Sequence, residues 1–447
     1  MGANSYMTRT NSSGGNRNTF TFSAWIKRSQ ISAGSKLFDA GTSTSTDTGR
    51  FFIGFFSSDK LVVVGGATTY RVTSRVFRDT ASWYHIVVAV DTTQSTAADR
   101  IKVYVNGDLI TTWDTNNAIT ENLNTPVNEN AKAHVYGRNQ ASSSENFDGY
   151  FAHIHHIDGT QYAASDFGLT DSTTGIWKPK LAPSVTYGTN GVFLKFASSG
   201  SLGTDSSGNG NTFSVNGNLK QSQTTPSNVF CKPNQLDFAG TVAEMEKNGL
   251  RLNNAGGGSD VAARSTQAVK SGKWYYECKS TISAGHGNRK MVGFVDVESP
   301  VNNPRTLTSN DWKGIVMDLQ TGYVYKNAST SGVTNVSAFS TADIVQVYFD
   351  ADNGELRIGK NGTMENSGNA VATGLDMTYF YTPYNCQDGG GSNNGVMDYN
   401  FGEGTFGGID VSSANSDANG YGLFEYDPTL SGTEYYALCT KNIKEFG

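Results

Sequence analysis

Three imidazoles fall within four residues in the stretch GYFAHIHHIDGT (149–160): His153, His155 and His156, half of the six histidines in the chain. Along a strand, side chains alternate between faces. His153 and His155 then share one face with Phe151 and Ile157, and His156 lies opposite with Ala152 and Ile154. Two imidazoles at i, i+2 hold a metal only if further ligands arrive from elsewhere. No HExxH string and no Cys/His pair accompanies them. The expectation is a structural or interface strand. If His153 and His155 pack against a neighbour, that contact is sensitive to pH at about 6–7.

Other chemistry-bearing residues read in the same way. Glu145, Asp148 and Asp158 cluster in sequence, and glycoside hydrolysis needs two carboxyl groups at a set separation. These three sit at loop or strand-end positions, where acidic residues serve turns. No G-x-S-x-G elbow or Walker-type loop is present, and the Gly-rich strings GGATTY and NAGGGSD lead into strands rather than a helix N-terminus. No catalytic residue is assigned and no enzyme is expected. Asp91, Asp99 and Asp108 are candidate calcium ligands, although a hard cation needs six or more oxygens, so no cofactor is assigned. Cys231, Cys278, Cys386 and Cys439 are widely spaced without a CxxC pair and are expected as buried, reduced thiols.

The candidate ligand-binding stretch is MTYFYTPYNCQDGGGSNNG (377–395). Tyr379, Tyr381 and Tyr384 offer ring faces for sugar stacking, and Asn385, Asp388 and Asn393 offer hydrogen bonds to hydroxyls. The competing reading makes the tyrosines core strand residues with a polar loop behind them.

The elements that must position these residues are strands. The 447 residues include 51 Gly and only 9 Pro, with 37% hydrophobic and 11% aromatic residues, which suits short strands and polar turns. TFTFSAWIKR (19–28) alternates Phe20, Phe22, Ala24 and Ile26 against Thr21, Ser23 and Trp25. IKVYVNGDLITTW (101–113) carries an Asn106-Gly107 hairpin signal. A short helical turn is expected at 164–171, capped by Ser165 or Asp166. Further hairpins are marked at 318–322 and 350–354. With a net charge of −6 and no basic run, no nucleic-acid partner is expected. No run of about 18 apolar residues predicts a membrane span. The start, MGANSYMTRT, has no secretory apolar core, and Tyr6 stands where a myristoylation signal places Ser or Thr.

The predicted fold class is all-β: two β-sandwich, jelly-roll-like domains joined by an extended Gly/Ser/Asn-rich segment. The predicted boundaries are 1–180 for the first sandwich, 181–245 for the connecting segment, 246–410 for the second sandwich, and 411–447 for a C-terminal aromatic segment packing on it.

On FTFSAWIKR, WYHIVVAVD, IKVYVNGDLI and FDGYFAHIHHIDG, the first 180 residues resemble the laminin-G-like, concanavalin-A-like jelly rolls. On GKWYYECKS, IVMDLQTGYVYKN, ELRIGKNG and VMDYNFGEGTF, residues 249–407 resemble the SPRY (B30.2-like) domains. The pairing, with NSSGGNRNTFTFSAWIKR, DSTTGIWKPK, GTDSSGNGNTFSVNGN and EYYALCTKNIKEFG, resembles structural proteins of tailed bacteriophages. That resemblance implies a virion protein made in the host cytoplasm. It further implies attachment to a host surface glycan or receptor, other virion proteins as partners, and a homo-oligomer in the particle. The alternatives are a capsid decoration or tail structural protein and, less favoured, a polysaccharide depolymerase. Because the jelly roll begins at once, a compact attachment, decoration or knob protein is expected rather than a long fibre.

Overall fold

The computed structural model describes the chain except residues 1–4, 43–44, 143, 173–174, 241–244, 255–259, 281–288, 305–310 and 388–394. It divides into two units, Met1–Gln221 and Ser222–Gly447. Nearly all of it is strand and turn, arranged as β-sandwiches.

In the first unit, one sheet orders Trp113–Asn116, Thr69–Val76, Lys60–Gly65, Arg50–Phe55, Ser35–Gly41, Ala133–Tyr136, Tyr6–Thr10 and Ser214–Asn216. The facing sheet orders Val192–Leu194, Gly149–Asp158, Thr19–Arg28, Tyr84–Asp91, Ile101–Val105 and Asp108–Leu109. Phe20, Phe22, Phe38, Phe51, Ile53, Val88 and Val103 fill the space between them. The Asn106-Gly107 turn forms as the sequence requires. Both residues adopt positive φ (52° and 94°), and Val105 pairs with Asp108 across a two-residue loop.

Thr19–Arg28 and Tyr84–Asp91 are buried on both faces, not on one. The outer face of their sheet is covered by the unit's own residues 160–190. Ala164, Phe167, Tyr162, Trp177, Val185 and Tyr187 pack there against Val87 and Ile157. Within this strap, Gly168–Thr170 pairs with Trp177–Pro179. The short helix Ala164–Phe167 follows Ala163, whose N–H is capped from within by Asp166 Oδ2 at 2.9 Å. Asp166 therefore caps from inside the helix, three residues past the N-cap.

Residues 181–245, expected as a connecting segment, are shared between the units. Val192–Leu194 pairs with Gly149–Asp158, and Ser214–Asn216 pairs with Tyr6–Thr10. Pro233–Ala239 pairs with Val261–Ser265 in the second unit. Its proline is the first residue of the strand, where a missing N–H is tolerated.

The second unit stacks two sheets. One orders Pro233–Ala239, Val261–Ser265, Tyr381–Gln387, Lys290–Asp296, Gly314–Asp318 and Val324–Lys326. The other orders Met245–Glu246, Arg251–Asn254, Gly395–Asn400, Lys273–Ser280, Ile344–Asp350, Glu355–Lys360 and Thr363–Met364. Phe294 from the first sheet stacks on Phe349 from the second at 4.1 Å between centroids. The predicted hairpins are present: Gly322 N–H bonds to Asp318 O at 2.8 Å, and Asp350 pairs with Glu355.

The C-terminal residues are built into the second sandwich. Tyr436–Ala437 runs parallel beside Lys273–Ser280. Phe424, Tyr435, Ala437 and Cys439 pack with Phe230, Tyr275 and Tyr348. Glu277, wholly buried, gathers four donors: Tyr275 OH (2.9 Å) and Tyr426 N (2.8 Å) on Oε1, Asn400 Nδ2 (3.2 Å) and Glu425 N (2.9 Å) on Oε2.

Candidate functional site

The histidine strand departs from simple alternation. Its register against Thr19–Arg28 shifts between Ala152 and His155, and His153 takes φ +47°. This bulge resets the phase. Phe151, expected beside His153 and His155, instead packs toward the inner core with Ile154. His156 also faces inward, against Phe20, Phe38 and His134, and its Nε2 meets Asn128 Oδ1 at 2.8 Å.

His155 faces outward but is buried by the strap, stacked on Phe193 at 4.1 Å, with Nδ1 2.8 Å from Tyr187 OH. His153 stands beside it at 6.4 Å between centroids. His85, on the neighbouring strand Tyr84–Asp91, stacks on Trp25 and meets Trp177. Burial lowers all of these imidazoles from their ordinary value, His85 and His156 to about 3, with nearby imidazoles or cations adding to the effect. A buried imidazole kept neutral in aromatic packing is a structural group. Among the described residues, no group of three or more His, Cys, Asp or Glu gathers as a metal set.

The candidate carboxylates are likewise engaged in structure. Asp158 accepts from Asn16 N and Asn190 N, and Glu145 meets Lys36 Nζ at 2.9 Å. Asp148 precedes the first residue of Gly149–Asp158. Asp91 and Asp99 lie near the end of the sheet where Val90 pairs with Ile101. Asp108 lies at the opposite end, where Val105 turns back. The three calcium candidates therefore share no rim. The four cysteines are buried, and none is joined in a disulfide among the described residues.

The tyrosine stretch divides at the start of the strand Tyr381–Gln387. Tyr381 enters the inner core, where its OH donates to Asp376 O at 3.2 Å. Tyr384 packs with Trp312 on the other face of the sheet, and Asn385 is fully buried. None of the three is presented at the surface, so none can stack on or bond a glycan there. Asp388 and Asn393 lie outside the described residues. Tyr379 is half-buried beneath Lys313 Nζ, 3.6 Å from its ring centroid.

The neighbouring Phe380 is 47% exposed, with Lys270 Nζ 5.1 Å from its ring. Asp376 folds the approach: its Oδ1 accepts from Thr378 N and Oγ1. Lys313 is held above its ordinary value, first by its bond to the Tyr379 side chain and then by the charges of Asp296 and Asp376. The result is a surface pair of aromatic rings, each with an ammonium group over it. Such a pair can stack on the apolar face of a sugar ring and bond its oxygens. Phe380, Lys270 and Lys313 were not legible as site residues. The alternation that marks Tyr379 and Tyr381 gives no sign that the strand begins between them, and both lysines come from distant segments.

The family model of the Concanavalin A-like lectin/glucanases superfamily (Laminin_G_3) matches residues 1–160. Among solved structures, the chain is similar to the SPRY domain of human HERC1, at 18% identity and TM-score 0.29, covering 37% of this chain and 91% of that one. It is also similar to the native heptameric SAP-like pentraxin from Limulus polyphemus, at 13% identity and TM-score 0.27, covering 35% and 71%. No curated protein matches the chain.

Proposed function

We propose that this chain is a non-enzymatic adhesion protein that binds carbohydrate, carried on the virion of a tailed bacteriophage and directed at a host surface glycan. The observation that carries the binding reading is the exposed Phe380 beside Tyr379, with Lys270 and Lys313 over the two rings. The lectin-like model over residues 1–160 supports a binding module. The virion setting rests on the sequence resemblance alone. A glycan array and whole-cell adsorption with the purified chain test the proposal, with the variants Phe380→Ser and Lys313→Gln. Loss of binding in both variants is expected. A chain that adsorbs to no cell or glycan, yet is stoichiometric on capsids, overturns attachment. A reducing-sugar release assay addresses the depolymerase alternative.

A second reading, a structural part of the particle bound to other virion proteins, is favoured by one feature. Ile176 and Leu181 on the strap are 62% and 81% exposed, and exposed apolar side chains suit a protein interface. Retention of Ile176→Ser/Leu181→Ser chains on particles argues against it.

A further inference from the structure

Several buried cations in the first unit meet oxygen. Arg28 meets Asp59 at 2.9 Å, Lys36 meets Glu145 at 2.9 Å and Arg50 meets Asp39 at 2.6 Å. Arg71 donates to the carbonyls of Tyr70, Asn117 and Ile101. Lys290 in the second unit is just as buried, at 1% exposure. Among the described residues its Nζ has no hydrogen-bond partner, and no carboxylate stands within ion-pair distance.

The strand register shows what lies around it. Lys290 is opposite Gln387, and Val292 is opposite Asn385. Val292 belongs to the inner core, so this alternate row points between the two sheets. Cys278 reaches the same interior from the facing sheet, close enough to interact electrostatically with Lys290, and Ser280 follows two residues on. Among the described residues, Ser280 Oγ, both amide atoms of Asn385, and Gln387 Oε1 are all buried without partners. Gln387 is held with that oxygen free, because its Nε2 donates to Leu252 O at 3.0 Å.

Buried polar groups in folded proteins are paired almost without exception, and a buried ammonium without a counter-charge is the most costly kind to leave open. Cys278 cannot balance it: burial holds the thiol well above its ordinary range, so it stays neutral. The cluster offers one positive charge, amide and hydroxyl donors, and two amide acceptors. A carboxylate beside a hydroxyl meets the charge, the donors and one of the two acceptors.

We propose that this end of the second sandwich's interior binds one hydroxycarboxylate group. Lys290 carries the charge, Asn385 Nδ2 and Ser280 Oγ donate to the carboxylate, and the hydroxyl gives its one proton to Asn385 Oδ1 or Gln387 Oε1. A free hydroxy acid and a uronic-acid residue of a glycan present the same chemistry. The site stands independently of the surface platform at Phe380.

The test uses the full chain with glycolate, D-glucuronate and D-glucose, followed by calorimetric titration and thermal unfolding. Both anions, or glucuronate alone, are expected to bind and raise the unfolding midpoint, while glucose does neither. Binding of both anions identifies a free hydroxy acid as sufficient, and binding of glucuronate alone identifies the sugar residue. Lys290→Met is expected to weaken binding by about 10- to 100-fold, the value of a charged hydrogen bond. Asn385→Asp places a carboxylate beside the ammonium, so it is expected to raise the unfolding midpoint of the free chain and abolish anion binding. The proposal fails if glucose and the anions act alike, if Asn385→Asp is no more stable than the parent, or if a crystal grown with glucuronate and glycolate holds only ordered water among these side chains.

Discussion

Trp177 Nε1 donates a hydrogen bond to His85 Nδ1 at 3.0 Å. The acceptor nitrogen carries no proton, so the imidazole is neutral with its proton on Nε2, 2.9 Å from Ser23 Oγ. One hydrogen bond thus ties the strap to the sheet and fixes the charge state of the residue beneath it.

Acid should therefore weaken the first unit. His85 and His156 have folded values of about 3, and His134 and His155 lie well below the ordinary value, all through burial first. A group whose folded value is depressed binds more protons unfolded than folded in the window between the two values. Stability is then complete above about pH 6.5 and is lost as pH falls. His85 and His156 alone should remove about 4 kcal/mol between pH 7.5 and pH 5. Calorimetric unfolding at pH 7.5 and pH 5 measures this. A first-unit midpoint that does not fall at pH 5 refutes it.

The strap's seat is tight enough to test by adding one methyl group. A Cβ on Gly168 would lie 2.4 Å from Trp177 Cζ2, while the backbone there, at φ −133°, is extended and accepts any residue. Gly168→Ala should cost about 1–3 kcal/mol through overpacking alone. In the Trp177→Ala background the same change should cost almost nothing, giving a double-mutant coupling of similar size. Additive losses would mean that Trp177 is not what Gly168 accommodates. The midpoint displaced by Gly168→Ala also identifies the first-unit transition in the acid experiment.

The sequence made local structure legible and left tertiary covering hidden. Asn106-Gly107 and the turns at 318–322 and 350–354 all declare themselves through residue types acting within a few positions. The period-two pattern of Thr19–Arg28 placed Trp25 on a polar face with Thr21 and Ser23, because nothing local shows that residues 160–190 return to bury that face. The phase slip at His153 was invisible for a similar reason. A bulge needs no special residue, and this one lies in a strand paired with two neighbours that are remote from each other in sequence. In the candidate site, Tyr379 was legible, whereas the lysines over the rings come from segments far away in sequence.

Neighbouring aromatic residues at the surface platform should behave in opposite ways. Phe380→Ser removes an exposed ring and should change stability by no more than about 0.5 kcal/mol while eliminating glycan binding. Tyr381→Ser empties a core position and should cost about 3–5 kcal/mol, with binding reduced only in proportion to the unfolded fraction. Denaturant titration alongside array binding separates the two. If Phe380→Ser binds like the parent, the platform is not the contact surface.

Glu277 is where the C-terminal segment is fastened to the second sandwich. Glu277→Ala leaves Tyr275 OH, Asn400 Nδ2 and the N–H groups of Glu425 and Tyr426 without their acceptor, and should cost about 3–5 kcal/mol. Glu277→Gln is the sharper variant. Each carboxylate oxygen receives two donors, so an amide can serve one pair only and must present its own N–H groups to the other. A loss of about 1–3 kcal/mol is expected despite the matched shape. Because Glu425 and Tyr426 are attached through their backbone, limited proteolysis of both variants should begin near residues 422–427 while the strands of the sandwich remain protected. Equal stability of Glu277→Gln and the parent would show that the four contacts do not hold the segment in place.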